Sequence, residues 1–284
     1  MKILKYSEFI KESTDSEFIA ANPVAIPRTR NITLDEAIEF YLSNCNNWDL
    51  DKAMLYRGVD KVNPYSIIDP RLSTRKYMTI NSELQNKILS LLPSWKNMPN
   101  RLKSIFCATS IDATGNYRNI NDYLIVIPTN GSKLALTTDT NDFIFNNSHY
   151  RKTYFQETNT HTFFANLASV LDMLSIRDAH KLTKEQLLHE IDHIKEKLTN
   201  GSEERINIIK KEYNQMYKFI MSSNSFIESL DDLFDPKLNN IITTTSQDDL
   251  IKYNKSEVFT EDKCLLISNL SFKEFKQAIE DKIN

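Results

Sequence analysis

The chain has 284 residues, 40% hydrophobic and 26% charged, a composition ordinary for a globular protein with ample material for a core. Its net charge of −3 gives no electrostatic footprint for nonspecific nucleic-acid binding, so a nucleic-acid partner is unsupported. No run approaches the roughly 18 apolar residues of a membrane span, which argues against a membrane role.

Only four glycines occur, Gly58, Gly115, Gly131 and Gly201, too few and too scattered for a glycine-rich phosphate loop. A nucleotide bound here would have to be held by side chains. Cys45, Cys107 and Cys264 are unclustered and odd in number, a reduced, cytosolic pattern. Cys107 and Cys264 fall inside apolar strand patterns, where cysteine acts as a small buried hydrophobe.

Residues 1–13 form a short amphipathic stretch with Ile3, Leu4, Phe9 and Ile10 among lysines, and residues 14–31, carrying Pro23 and Pro27, read as a linker. Thr33-Leu34-Asp35-Glu36 is a capping box that opens a helix towards Asn46. An apolar strand then ends at Arg57. Ser82-Glu83-Leu84-Gln85 is a second capping box, opening a helix through Leu92 that Pro93 stops. Residues 104–110 alternate apolar and small polar residues and end in Ala108-Thr109-Ser110, while 122–128 is a β-branched block; both predict strands. Asn130-Gly131 is a tight-turn signal that predicts a hairpin between 122–127 and 132–136, with a further short strand over 142–145.

From 161 to about 235 the character becomes helical. Phe163, Phe164, Leu167, Val170, Leu171 and Leu174 recur at helical spacing. Thr183-Lys184-Glu185-Gln186 caps a second helix with Leu187, Ile191, Ile194 and Leu198 on one stripe, ended by Asn200-Gly201. Ile206, Ile209, Tyr213, Met216, Tyr217 and Ile220 mark a third. Pro236 and the polar run 243–249 close this segment. Strands return at 256–259 and 263–267, and Ser271-Phe272-Lys273-Glu274 caps a final helix. The fold class is α+β. Its parts are an N-terminal peptide and linker (1–31), a first half-domain (32–160), a helical insertion (161–240) and a second half-domain (241–284).

The order of an arginine strand, a Thr-Ser strand followed by a hydrophobic strand, and a Glu-Val strand near the C-terminus resembles the ADP-ribosyltransferase fold. The resemblance covers about 53–136 and 250–268. It implies a split antiparallel sheet carrying a helical insertion, and an NAD-dependent mono-ADP-ribosyltransferase that modifies a host macromolecule, a host protein above all. NAD would be the substrate. By the same resemblance, Arg57 grips the pyrophosphate, Thr109 and Ser110 orient the ribose, and Glu257 is the catalytic carboxylate. Cleaving the nicotinamide glycosidic bond passes through an oxocarbenium-like state, which suits one anion beside the ribose and one planar donor fork beside the pyrophosphate. Two positions depart from the pattern: Ala108 stands where the family has its first serine, and Lys255 where arginine-modifying members carry Glu or Gln. Residues 247–254, with Tyr253 as their one aromatic, correspond to the acceptor-recognition loop.

The N-terminal stretch resembles the capsid-targeting peptides of internal virion proteins in large tailed phages, which are cut after a Glu two residues beyond an Ile or Leu; here that is Glu12. This implies a phage effector in the virion interior and then the host cytoplasm, or in the host cytoplasm only. Two alternatives stand beside the transferase. His189-Glu190-Ile191-Asp192-His193 fits the zincin pattern on a helix, with Glu228 as a possible third ligand, pointing to a zinc metallopeptidase. Against it, both histidines fall opposite the apolar stripe and Asp192 places a charge inside the motif. The other alternative is a noncatalytic phage internal or structural protein with a degenerate transferase fold.

Overall fold

The computed structural model describes residues 29–58, 63–72, 80–111, 123–138, 160–253 and 256–283. The N-terminal peptide, the 142–145 strand and Lys255 lie outside these. Among the described residues the chain is mixed α+β, with nine strands and ten α-helices. It divides into two compact units: one drawn from 1–78, 99–141 and 242–284, the other from 79–98 and 142–241.

The first unit is built on the sheet. Its strands are β1 (Thr29–Asn31), β2 (Leu55–Gly58), β3 (Tyr65–Ile68), β4 (Ile105–Ala108), β5 (Tyr123–Pro128), β6 (Leu134–Thr137), β7 (Ile241–Thr244), β8 (Glu257–Thr260) and β9 (Cys264–Ser268). Their order is β1-β3-β9-β5-β2-β4-β8-β6-β7, and every registered pair is antiparallel. In β5 and β9 nearly every residue is buried, which is why they read as continuous apolar runs rather than alternating ones. Helices α1 (Leu34–Asn44) and α10 (Phe272–Ile283) belong to the same core. Thr33 and Glu36 make the reciprocal capping box expected at the start of α1, and the helix buries Ala37, Ile38 and Tyr41. Phe275 of α10 is fully buried, with its ring edge-on to Tyr41 at 5.7 Å and beside Tyr65 at 6.3 Å. Burying that ring contributes about 2–3 kcal/mol.

Within the sheet, β2 and β4 are sparsely registered. β2 is registered with β5 over four residues, Leu55–Gly58, but with β4 at the single pair Tyr56 and Ala108. The ladder therefore splays between β2 and β4.

The hairpin expected around Asn130-Gly131 does not form. The turn is present, with Gly131 at φ +74°, but β5 pairs with β2 and β9, whereas β6 pairs with β8. The turn is instead anchored on the end of α1. Asn130 N–H donates to the Asn44 carbonyl at 2.6 Å, its Nδ2 donates to Asn46 Oδ1 at 2.7 Å, and Asn47 N–H donates to Asn130 Oδ1 at 3.0 Å. The polar run 243–249 is likewise not a plain connection. It contains the end of β7 and the start of α9 (Gln247–Lys252), held by Thr244 Oγ1 donating to Asp249 Oδ2.

The second unit is helical: α2 (Ile80–Leu89), α3 (Thr160–Met173), α4 (Lys184–Asp192), α5 (Ile194–Asn200), α6 (Glu203–Glu212), α7 (Asn214–Ser222) and α8 (Phe226–Leu233). Phe163, Phe164 and Phe234 interlock at ring separations of 5.2–5.4 Å at its centre. Residues 79–98 belong here rather than with the first half-domain of the sequence reading, because α2 packs on α3 with Leu84, Ile88 and Leu89 buried. Trp95 Nε1 also donates to the Phe234 carbonyl at 2.8 Å. The described helix already includes Ser82 (Ile80–Leu89), whereas the sequence reading opens it there.

Two expected helices are broken. The second changes direction at His193 (φ −95°, ψ 5°) and the third at Tyr213 (φ −124°, ψ 39°). Neither break carries Gly or Pro, so the apolar periodicity reads straight through both. Gly201 follows α5 in an extended conformation, and the position suits glycine, because a Cβ there would lie 2.8 Å from the Lys197 carbonyl oxygen.

Candidate functional site

Arg57 lies on β2 and Glu257 on β8, while Thr109 and Ser110 follow the end of β4, the strand between them in the sheet. Glu257 opens β8 directly opposite Ala108, and Phe259 lies opposite Phe106. Thr109 N–H donates to the Ser256 carbonyl at 3.1 Å, one step beyond the Ala108 and Glu257 pair. Hydrogen-bonded and non-hydrogen-bonded rungs alternate in an antiparallel ladder. Ala108–Glu257 and Phe106–Phe259 are thus the non-hydrogen-bonded rungs, where facing side chains approach most closely and the β4 carbonyls point towards β2.

That geometry explains Arg57. β2 and β4 are registered at Tyr56 and Ala108, and beyond that pair Arg57 Nη1 donates to the Phe106 carbonyl at 2.8 Å. Alternation along β2 puts Tyr56 on the side shared by Ala108 and Glu257, so Arg57 leaves the strand on the opposite side. Its half-buried guanidinium bridges the strands at the split.

Thr109 is 6% exposed, and its hydroxyl is engaged twice with backbone: it donates to the Tyr253 carbonyl and accepts from Ser256 N–H, both at 2.9 Å. It clasps the two sides of the segment leading into Glu257. The structure therefore gives Thr109 a structural position. Ser110 follows it and is half-buried.

Sequence reasoning missed Arg101. It lies in a 3-10 turn, Arg101–Lys103, capped by Asn100, whose Oδ1 accepts from Leu102 N–H at 3.0 Å. Its side chain is 2% exposed and reaches Glu257, with Nη1 3.2 Å from Oε1. On the way its guanidinium carbon passes 4.6 Å from the centroid of Phe106 and 4.7 Å from that of Phe259. The two rings stack on each other at 5.3 Å. An arginine in the basic, otherwise surface-like run Arg101-Leu102-Lys103 carries no signal of burial, which is why the pattern concealed it.

The remaining candidates behave differently. His189 and His193 are exposed, as their position opposite the apolar stripe implies, with ring centroids 4.2 Å apart. His193 Nδ1–H donates to the His189 carbonyl at 2.8 Å, and Glu190 pairs with Lys197. Among the described residues no group of three His, Cys, Asp or Glu side chains is assembled that could hold a metal, so Glu228 does not complete a set with the histidines. Glu228 lies in the first turn of α8, where its N–H donates to Ser225 Oγ. All three cysteines are free and buried. Burial pushes the Cys45 thiol up to about 12 and the Cys264 thiol well above its ordinary value. No helix among the described residues is long and apolar enough to cross a membrane.

Comparison with known proteins finds no family model that matches the chain, no similar curated protein and no similar solved structure.

Proposed function

We propose that the protein is an NAD-dependent mono-ADP-ribosyltransferase with Glu257 as its catalytic carboxylate and Arg57 and Ser110 lining the NAD site. The observation that supports this reading is the adjacency of β2, β4 and β8 in the sheet, although Arg57 and Glu257 lie 200 residues apart in the chain; their side chains leave opposite faces, so NAD would have to lie across the strand ends, by Ser110, and not on one face. A sheet that splays between an arginine strand and a Thr-Ser strand also suits the split sheet that the resemblance implies.

In the reaction the bond between the nicotinamide nitrogen and ribose C1′ breaks, and its electron pair leaves with nicotinamide, which becomes neutral. The acceptor's nucleophile bonds to C1′ and its proton passes to solvent. Glu257 accepts a hydrogen bond from the ribose hydroxyl and stabilises the positive charge developing at C1′. Arg57 has a planar fork suited to two pyrophosphate oxygens. The acceptor is a host protein on the transferase resemblance alone, and delivery by a phage virion rests on the separate resemblance of the N-terminal stretch to capsid-targeting peptides.

The test is NAD turnover by purified protein, with and without host lysate, comparing wild type with Glu257→Gln. Nicotinamide release that falls about 100-fold or more in the variant is the expected result, the scale of losing one preorganised electrostatic contact. Equal turnover by both proteins, or none by the wild type, overturns the reading.

A specific observation favours a second reading, a noncatalytic protein on a degenerate transferase fold. Glu257 faces Ala108 rather than a hydroxyl and is paired with a buried arginine, a pattern that also serves purely structural ends. Failure of the wild type to bind or turn over NAD selects it.

A further inference from the structure

We propose that Arg101 is the positioning residue for the Glu257 carboxylate, which faces the methyl group of Ala108 across the ladder. This rests on the transferase reading of Glu257. Ala108 faces Glu257 across a non-hydrogen-bonded rung, the arrangement in which facing side chains stand closest, and its methyl group offers the carboxylate nothing to bond. A carboxylate at 16% side-chain exposure needs a donor to fix its rotamer. Arg101 Nη1, 3.2 Å from Glu257 Oε1, is that donor.

The rest of the arginine is fixed independently of Glu257. Its guanidinium lies over the rings of Phe106 and Phe259, which occupy the next rung on the same face. The turn that carries it is tied down by the Asn100 cap and by Ser104 Oγ donating to the Asn100 carbonyl at 2.7 Å. The guanidinium is therefore held against the two rings, on a turn fixed by its own hydrogen bonds, with Nη1 aimed at Glu257 Oε1. Arg101 bonds Oε1, leaving Oε2 to accept the ribose hydroxyl in the same orientation at every turnover. Lysine cannot substitute fully, because its ammonium is a point charge without a planar fork to lie against the rings.

The experiment uses the full chain, NAD as the probe and water as the acceptor, so that no macromolecular acceptor is needed. In hydrolysis the C1′–nitrogen bond breaks with its pair on nicotinamide, the water oxygen bonds to C1′, and the water's proton passes to solvent. Wild type, Arg101→Met, Arg101→Lys and Glu257→Gln are compared for kcat and KM, with thermal unfolding of each. The expected result is a kcat for Arg101→Met lower by about 10- to 100-fold, the range for loss of orientation of a reacting group, with KM for NAD near the wild-type value. Arg101→Lys restores part of that kcat. A general loosening of the fold would not produce this split with rescue by the retained charge.

Should Arg101→Met fail to fold, Arg101→Lys decides: a fall in kcat at unchanged KM supports the role. Wild-type kcat in either folded variant overturns it, as does a fall confined to KM. Absence of NAD turnover by the wild type removes the transferase reading and the positioning role with it. Turnover that Glu257→Gln abolishes but folded Arg101→Met retains in full removes the positioning role alone.

Discussion

Ala108 and Glu257 face each other across β4 and β8, and the partner that Ala108 cannot be is supplied by Arg101 from outside the sheet. The pair is buried on the arginine side, so its two charges depend on each other. Removing one partner of a buried ion pair typically costs about 3–5 kcal/mol, because the other charge is left uncompensated. Glu257→Ala is expected to fall in that range and Glu257→Gln nearer 1–3 kcal/mol, since an amide oxygen still accepts from Arg101. The double variant Arg101→Met with Glu257→Ala should be clearly less destabilised than the sum of the single changes. Denaturant titration of the four proteins measures this, and strict additivity would show that the two side chains do not interact.

Thr109 makes a different prediction from the one its place in a Thr-Ser motif suggests. Its hydroxyl serves the Tyr253 carbonyl and the Ser256 amide at once. Thr109→Val keeps the shape and strands both groups, at a cost of about 1–3 kcal/mol. Thr109→Ser should retain most of the stability. Hydrogen exchange at the Ser256 amide should quicken in the valine variant and not in the serine one.

Arg57 couples the two sides of the splay through the Phe106 carbonyl. Arg57→Ala should lower stability by about 1–2 kcal/mol through that lost charged hydrogen bond. On the transferase reading it should also weaken NAD binding about tenfold or more, since the pyrophosphate loses a bidentate donor. Calorimetric titration with NAD separates the two effects, and undiminished affinity would remove Arg57 from the NAD site.

Purified protein should hold well under one zinc per chain, because His189 and His193 gather no third ligand among the described residues. Elemental analysis of metal-supplemented protein is the measurement. Stoichiometric zinc that His189→Ala abolishes would restore the peptidase reading.

The buried thiols give a pH dependence of known sign. The Cys45 thiol is raised from 9.0 to about 12 by desolvation, so between those values the unfolded chain loses a proton that the folded chain keeps. Stability is then unaffected below about pH 9 and falls as pH rises towards 12. Tyr41, raised chiefly by desolvation and then by Cys45 and Asp49, adds in the same direction at higher pH. Urea midpoints from pH 7 to 11 should show the decline, and thiol reagents at pH 8 should label the cysteines only after denaturation.

Local chemistry was legible in the sequence where it is local in space. The capping boxes at Thr33 and Thr183 formed as their spacing predicts, because a cap is satisfied within four residues whatever surrounds it. The cores of β4, β5, β8 and β9 were legible from apolar pattern, and the buried cysteines from their place in it. Pairing was not legible. Asn130-Gly131 determines a turn, but whether a turn closes a hairpin depends on which edges are free, and here its polar groups are engaged by the end of α1 while β6 joins β8. The breaks at His193 and Tyr213 were hidden because the apolar stripe continues across them, and packing within the helical unit decided where each helix stops. The same division applies to the site. Arg57, Thr109 and Glu257 could be placed on strands from the sequence, but the adjacency of those strands, the engagement of the Thr109 hydroxyl and the burial of Arg101 beside Glu257 arise only when residues 101, 106, 257 and 259 meet in the tertiary structure.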